Sequence, residues 1–162
     1  MKPSIQVQPL TTADLDCCAA VERQAVPPAL CWPLDAFEEF FSYAGHGGYL
    51  ATWKDQPLGY LLYQADRPHR RLYLGRIQVV EGWRRRRVGS RLVQHVRQWL
   101  RPVPDVQLYA VVHECCVPVQ CFLRANGFRA VRVFRGSAAD ERDAYLFEAA
   151  SAVEQRSPSA RG

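Results

Sequence analysis

The tightest constraint on the fold lies between Leu72 and Leu100. Leu72 to Val80 is a continuous β-prone run of one strand's length. Glu81-Gly82-Trp83 and four consecutive arginines, Arg84 to Arg87, interrupt it. Val88, Leu92, Val96, Trp99 and Leu100 then recur at i, i+4, i+8, i+11 and i+12, which puts one apolar stripe along a helix. Pro102 stops that helix, and Val106 to Val112 reads as the next strand. Strand, tight turn, amphipathic helix and strand form a βαβ-like unit. Such a unit commits the chain to a layered architecture in which the helix covers one face of a sheet.

The flanking segments extend that layer. Ile5 to Gln8 is short and β-prone, and Thr11 and Thr12 give an N-cap signal for a helix carrying Leu15, Cys18, Ala19 and Val21. Pro27-Pro28 ends it, and Pro33 opens a second helix with Leu34, Phe37, Phe40 and Phe41 on one stripe. Gly45 to Gly48 reads as a break. Tyr49 to Trp53 and Leu58 to Gln64 then form a hairpin about a turn at Lys54 to Pro57. Val117 to Ala125 is predicted helical, with Pro118 in its first turn and Asn126-Gly127 at its end, followed by strands at Phe128 to Phe134 and Ala144 to Phe147. The order β-α-α-β-β-β-α-β-α-β-β predicts an α/β (α+β) fold. Its sheet has about seven strands, is mixed but mostly antiparallel, and is flanked by helices.

A chain of 162 residues suits one domain. The expected division is a single domain over 1–150 and a disordered tail over 151–162, a polar stretch in which Ser, Ala and Arg recur. No apolar run approaches the roughly 18 residues of a membrane span, and the start has no apolar stretch of the signal-peptide kind, so a cytoplasmic location is expected. The six cysteines show no C-x-x-C pair and no zinc-finger spacing to His46, His69, His95 or His113. They read as reduced, structural thiols, and no metal site is expected.

The net charge is +5, and all but two of the 21 basic residues are arginine. Arginine suits phosphate because its planar fork donates two parallel hydrogen bonds. The excess is local: without Arg84 to Arg87 the balance is 17 basic to 16 acidic. A general attraction to nucleic acid therefore does not follow, and no stacking array or recognition-helix pattern supports one. The cluster runs straight into a helix N-terminus, whose unpaired N–H groups and positive dipole end attract anions. Gly89 allows close approach and Ser90 adds a hydroxyl. Two readings stand at this point: a phosphate or pyrophosphate cradle, and a solvated basic turn ahead of an ordinary helix. Walker-type and dinucleotide glycine patterns are absent.

The strand, the R-x-x-x-V-G-S turn and the helix resemble the acyl-CoA motif [Q/R]-x-x-G-x-[G/A] of the GNAT acyltransferase superfamily. Glu114 to Phe128 is similar to that superfamily's E-x-N-x-x-A-x-x-[FL]-Y-x-x-x-G-F segment, and Asp143 to Glu148 to its last strand. Cys31-Trp32-Pro33-Leu34-Asp35-Ala36-Phe37 resembles the P-W-x-x-x-x-F helix start of RimI-like N-terminal acetyltransferases. The resemblance implies an acetyl-CoA-dependent N-acyltransferase acting on an amine: a protein N-terminus, a lysine or a small amine. It implies that pantetheine pairs with the backbone of Ile77, Gln78 and Val79, with Cys116 beside it. It also implies that pyrophosphate sits on Arg84, Arg85, Arg86, Arg87, Val88, Gly89 and Ser90.

Four positions depart from the pattern. Arg87 replaces its first glycine, and Cys116 replaces its asparagine. Leu123 replaces the tyrosine that protonates the departing thiolate, and Val111 replaces an acidic residue of the RimI-like branch. Acid–base candidates near the thioester are then Tyr73, His113 and Glu114, with Tyr109 nearby. A catalytically degenerate acyl-CoA sensor is the alternative reading. The partners implied are acetyl-CoA and an amine or peptide acceptor, with no membrane; a homodimer stays open.

Overall fold

The computed structural model describes residues 3–136 and 140–149. The tail expected over 151–162 lies outside the described residues.

Seven strands form one sheet: β1 (Gln6–Pro9), β2 (His46–Trp53), β3 (Gln56–Asp66), β4 (Arg71–Val79), β5 (Gln107–His113), β6 (Phe128–Phe134) and β7 (Ala144–Ala149). Their order is β1-β2-β3-β4-β5-β7-β6. Every neighbouring pair is antiparallel except β4–β5, which is parallel. The helices are α1 (Leu15–Ala25), α2 (Leu34–Ser42), α3 (Val88–Leu100) and α4 (Val117–Ala125). The expected α/β order, the mixed sheet and the α3 and α4 boundaries all appear.

Two apolar layers sandwich the sheet. On one face the α3 stripe Val88, Leu92, Val93 and Val96 meets Leu61, Leu72, Leu74, Leu108, Ala110 and Val112, with Leu123 of α4 alongside. On the other, Leu15, Cys18, Ala19 and Val21 of α1 and Phe37 and Phe40 of α2 pack on Leu50, Tyr60 and Leu62. The period-2 alternation of β2 and β3 sends neighbouring side chains to opposite layers, so both strands are buried on both faces. Among the described residues no helix is long and apolar enough to cross a membrane. All six cysteines are unbridged.

Two expectations shift. β2 begins at His46, so Gly47 and Gly48 are strand residues rather than a break. A Cβ on Gly48 would lie 2.4 Å from the Leu61 carbonyl oxygen, so glycine here serves close strand packing. The hairpin turn is also shorter than expected. Lys54 and Asp55, with φ of 48° and 62°, close it alone, as a two-residue turn of the primed type does. Pairing therefore reaches Trp53 and Gln56.

β4 and β5 are joined at only three positions, Arg71 to Gln107, Leu72 to Leu108 and Tyr73 to Tyr109. Beyond Tyr73 they part, and β5 continues against β7 as far as His113 with Ala144. β4 also carries an extra residue opposite Leu62 and Tyr63, at Gly75. One inserted residue reverses the facing of all that follow. Leu72 and Leu74 face α3, and after the bulge Arg76 faces α1.

Leu92 is fully buried at the centre of the α3 stripe. Leu92→Ala is expected to lower unfolding stability by about 2–5 kcal/mol, measured by urea denaturation; a loss under ~1 kcal/mol would show that α3 does not anchor this layer.

Candidate functional site

The gap between β4 and β5 exposes one edge of β4. Alternate residues of a strand present their backbone groups to opposite edges. The N–H of Val80 donates to Leu58 O at 2.9 Å, and Gln78 O lies against Gly59, so Gln78 and Val80 address β3. Ile77 and Val79 therefore address the gap. Of the three residues expected to pair with an extended ligand, Gln78 uses its backbone on β3, Ile77 offers both backbone groups, and Val79 offers its N–H, its carbonyl oxygen being taken by Arg84.

The chain leaves β4 through a 3₁₀ turn at Glu81–Trp83 and reaches α3 through the four arginines. Arg85 and Arg87 are left-handed, with φ of 61° and 63°. Arg87 is the N-cap of α3. The first intrahelical bond runs from Arg91 N–H to Arg87 O at 3.0 Å. The N–H groups of Val88, Gly89 and Ser90 thus begin the helix without an intrahelical acceptor. Gly89 is needed by packing as well as by access: a Cβ there would lie 2.9 Å from Cε2 of Phe122 on α4.

The four arginines divide their work. Arg84 donates from Nε to Val79 O (3.2 Å) and from Nη2 to Ala25 O (2.8 Å), tying the turn to β4 and to the end of α1. Its guanidinium is committed to protein carbonyls rather than to a phosphate. Arg86 lies over the Trp83 ring, 5.2 Å from its centroid. Arg85 is exposed. Arg87 stands at the head of a polar cavity of about 380 Å³ that runs down α3 past Ser90, Arg91 and Gln94.

A strand edge left open, ending on a helix N-terminus among arginines, suits an extended ligand that carries an anionic group. The profile of the Acetyltransferase (GNAT) family matches residues 16–128. The chain belongs to the GNAT acetyltransferase family. Solved structures agree on the fold. The ribosomal-protein-S18-alanine N-acetyltransferase of Escherichia coli superposes with a TM-score of 0.76 at 17% identity, over 90% of this chain and 93% of that one. Arabidopsis thaliana NAA60 in complex with acetyl-CoA gives 0.70 at 18%, over 90% and 98%. Nourseothricin acetyltransferase gives 0.68 at 17%, over 90% and 97%. No curated protein matches the chain by sequence.

In this GNAT chain the three acid–base candidates do not converge. Tyr73 stacks on Tyr109 with ring centroids 5.2 Å apart, at the point where β4 and β5 separate. Burial, then the neighbouring Tyr109, raises its pKa, so it holds its proton at neutral pH. His113 is four residues beyond Tyr109, or about 13 Å along β5. Its Nε2 lies 4.0 Å from Asp140. Glu114 is tied to the 140–143 segment: its N–H donates to Asp143 O at 2.9 Å, and its Oε1 accepts from Asp143 N–H at 3.4 Å. Cys116 caps α4, and burial and then Cys115 push its thiol up, keeping it neutral. Leu123 is buried in the α3 layer, and Val111 is exposed on the open face of β5.

A cluster that no sequence motif announces borders the gap. Glu22 of α1 is fully buried. Its carboxylate accepts from Arg76 Nε and Nη2, each at 2.8 Å, from the Tyr60 hydroxyl, and from the Trp32 N–H at 3.0 Å. Arg76 Nη2 also donates to Leu30 O at 3.2 Å, and its guanidinium lies 4.7 Å from the centroid of the Trp32 ring. The α1–α2 connection is thereby fastened to β4 beside the open edge. Position 22 stands i+7 from Leu15 and i+4 from Cys18, and a glutamate on that apolar stripe is the signal that could have found it. Its partner Arg76 was hidden by the bulge. Burial alone would raise the Glu22 pKa, but Arg76, Tyr60 and the Trp32 N–H hold it below the usual carboxylate range.

Glu22→Ala is expected to cost about 3–5 kcal/mol by leaving Arg76 uncompensated. Because the folded pKa is lowered, the Glu22 contribution is complete above the unfolded value near 4.3 and is lost as pH falls through the folded value. Urea midpoints against pH should fall at acid pH in the wild type and flatten in Glu22→Gln; parallel curves would remove Glu22 from the account. At the turn, Arg87→Gly relieves a left-handed side chain and should stabilise the unliganded protein by about 1 kcal/mol. An unchanged or lower melting temperature would contradict this.

Proposed function

We propose that this chain is an acetyl-CoA-dependent N-acyltransferase. The observation that carries the reading is the open β4 edge at Ile77 and Val79, continuing into the arginine turn and the unpaired N–H groups of Val88 to Ser90. Arg85, Arg86 and Arg87 face the pyrophosphate with backbone and charge, while Arg84 holds the turn in place. The acetyl end of the arm then lies in the gap, and the Val79 N–H donates to the thioester carbonyl oxygen as negative charge develops there.

The acceptor amine enters between the α1–α2 connection at Leu30 to Leu34 and the segment before β7. Its lone pair attacks the carbonyl carbon, a C–N bond forms and the C–S bond breaks. The amine loses a proton and the CoA sulfur gains one. Tyr73, protonated at neutral pH, lies six residues before Val79 on β4, roughly 20 Å along the strand, so a proton it gives to the sulfur passes through water; His113 and Glu114 at the end of β5 are the candidates to take the amine proton. Orientation of amine against thioester supplies much of the rate, so modest acid–base help is enough. The acceptor is a protein N-terminus, a lysine or a small amine.

Acetyl-CoA or CoA at about 100 times Kd adds about 2.7 kcal/mol to stability, which raises the melting temperature by on the order of 5–10 °C in a chain of this size. Gly89→Val drives a side chain into Phe122 and should abolish that rise. Thiol release from acetyl-CoA over a panel of peptide N-termini, lysine peptides and small amines then reads turnover. A missing thermal shift in the wild type overturns the reading; a shift without thiol release for any acceptor replaces the enzyme with an acyl-CoA sensor.

A further inference from the structure

A second cavity, of about 640 Å³, opens at the end of the sheet opposite the arginine turn. It lies at the start of β4 and the last turn of α3, and the 13 residues of α3 put about 20 Å between it and the helix N-terminus. Its size falls within the range of small-molecule sites. Nothing in the proposed acyl transfer uses it.

The wall is aromatic and flat. Tyr63 and Trp99 stand with ring centroids 5.1 Å apart and planes 31° from parallel. Tyr63 is backed against Gly47, where a Cβ would lie 2.5 Å from the Tyr63 hydroxyl, so this half of the wall is held in position. Leu72 and Leu100 form the floor, and Val103 closes the side. Trp99 and Val103 are 46% and 51% exposed, an amount of uncovered large apolar surface that folding alone does not explain.

The mouth is cationic. Arg67 makes no ion pair among the described residues. Arg70 has only a 3.7 Å contact to the exposed Asp105, a weak and screened pair. Asp66, the one carboxylate lining the cavity, is already occupied: it accepts from the N–H of His69 and lies 2.9 Å from His69 Nδ1. His46 Nδ1 lies 2.9 Å from the Phe40 carbonyl oxygen, which only accepts, so that nitrogen is the donor. Arg71 also lines the cavity, with its guanidinium engaged over the Tyr109 ring at 5.7 Å from the centroid.

We propose that this cavity binds a small aryl carboxylate. The ring lies against Trp99 and Tyr63 above Leu72 and Leu100, and the carboxylate accepts from the guanidinium groups of Arg67 and Arg70. An aryl ammonium ion would meet two cations at the same mouth, and a neutral arene would leave them unused. The site stands apart from the gap between β4 and β5, so its occupancy does not depend on the acyl-CoA reading.

The probe is 1-naphthoate, titrated into the full chain against 1-naphthylmethylamine and naphthalene-1-carboxamide. The readout is the indole N–H resonance of Trp99, assigned by its loss in Trp99→Phe. The expected result is a saturable shift with naphthoate, unchanged by saturating CoA, and at least about tenfold weaker binding of the amine and the amide. Arg67→Ala, an exposed change that leaves the melting temperature in place, should weaken naphthoate about tenfold. No saturable shift, equal affinity for the amine, or displacement by CoA overturns the proposal. Two other occupants would also overturn it. The chain beyond Ala149 starts beside Gln107, whose Nε2 donates to Ala149 O at 3.3 Å. Tighter naphthoate binding after removal of residues 150–162 would assign the cavity to that segment. Loss of a dimer on Trp99→Ala, read by sedimentation, would assign it to a second copy.

Discussion

The parting of β4 from β5 after Tyr73 and Tyr109 is the constraint on which the site depends. A parallel pair joined at three positions would ordinarily continue, since each further backbone group left open must find another partner. Here β5 bonds β7 through its other edge as far as His113 and β4 bonds β3 through Val79, so the inner-edge groups beyond Tyr73 and Tyr109 keep no strand partner. Each strand is satisfied on its outer edge, and the inner edges are left to face each other across a wedge. An extended ligand arm can complete β4 there as a strand would. The proposed chemistry rests on this wedge and the turn at its rim.

Two devices keep the wedge in place. The bulge at Gly75 turns Arg76 from the α3 layer to the α1 layer, where Glu22 waits without solvent. A buried glutamate is costly unless paired and hydrogen-bonded, and this one has a side-on arginine, a tyrosine hydroxyl and a backbone N–H. The pairing fixes the α1–α2 connection, with Leu30 and Trp32, against β4. On the other side Arg84 fixes the turn to Val79 and Ala25. The arginines that look alike in a run of four thus separate into one that builds the turn and three that serve its surface.

What could be read from residues alone followed from local periodicity. The α3 stripe, the Pro118 start and Asn126-Gly127 end of α4, and the β-prone runs carry their own signals, and these elements fall where expected. The basic first turn of α3 was legible because charge and helix start are adjacent in sequence. Gly47 and Gly48 were misread as a break because a single chain does not show the neighbouring strand that crowds them. The same blindness hid Arg76: a one-residue bulge has no composition of its own, yet it reverses every facing after it.

By itself, then, the sequence determined the α/β class, the helix and strand inventory and a basic helix start, because these depend on residues near one another in the chain. Only the tertiary structure decided which edge of β4 stays open, that Gln78 turns its backbone away from it, that Arg84 is structural, and that Tyr73 and His113 stand apart. It alone set Tyr63, Trp99, Arg67 and Arg70 around one cavity at the far end of α3. Those facts depend on strand register and long-range pairing, where one residue of slip exchanges the two faces of the sheet.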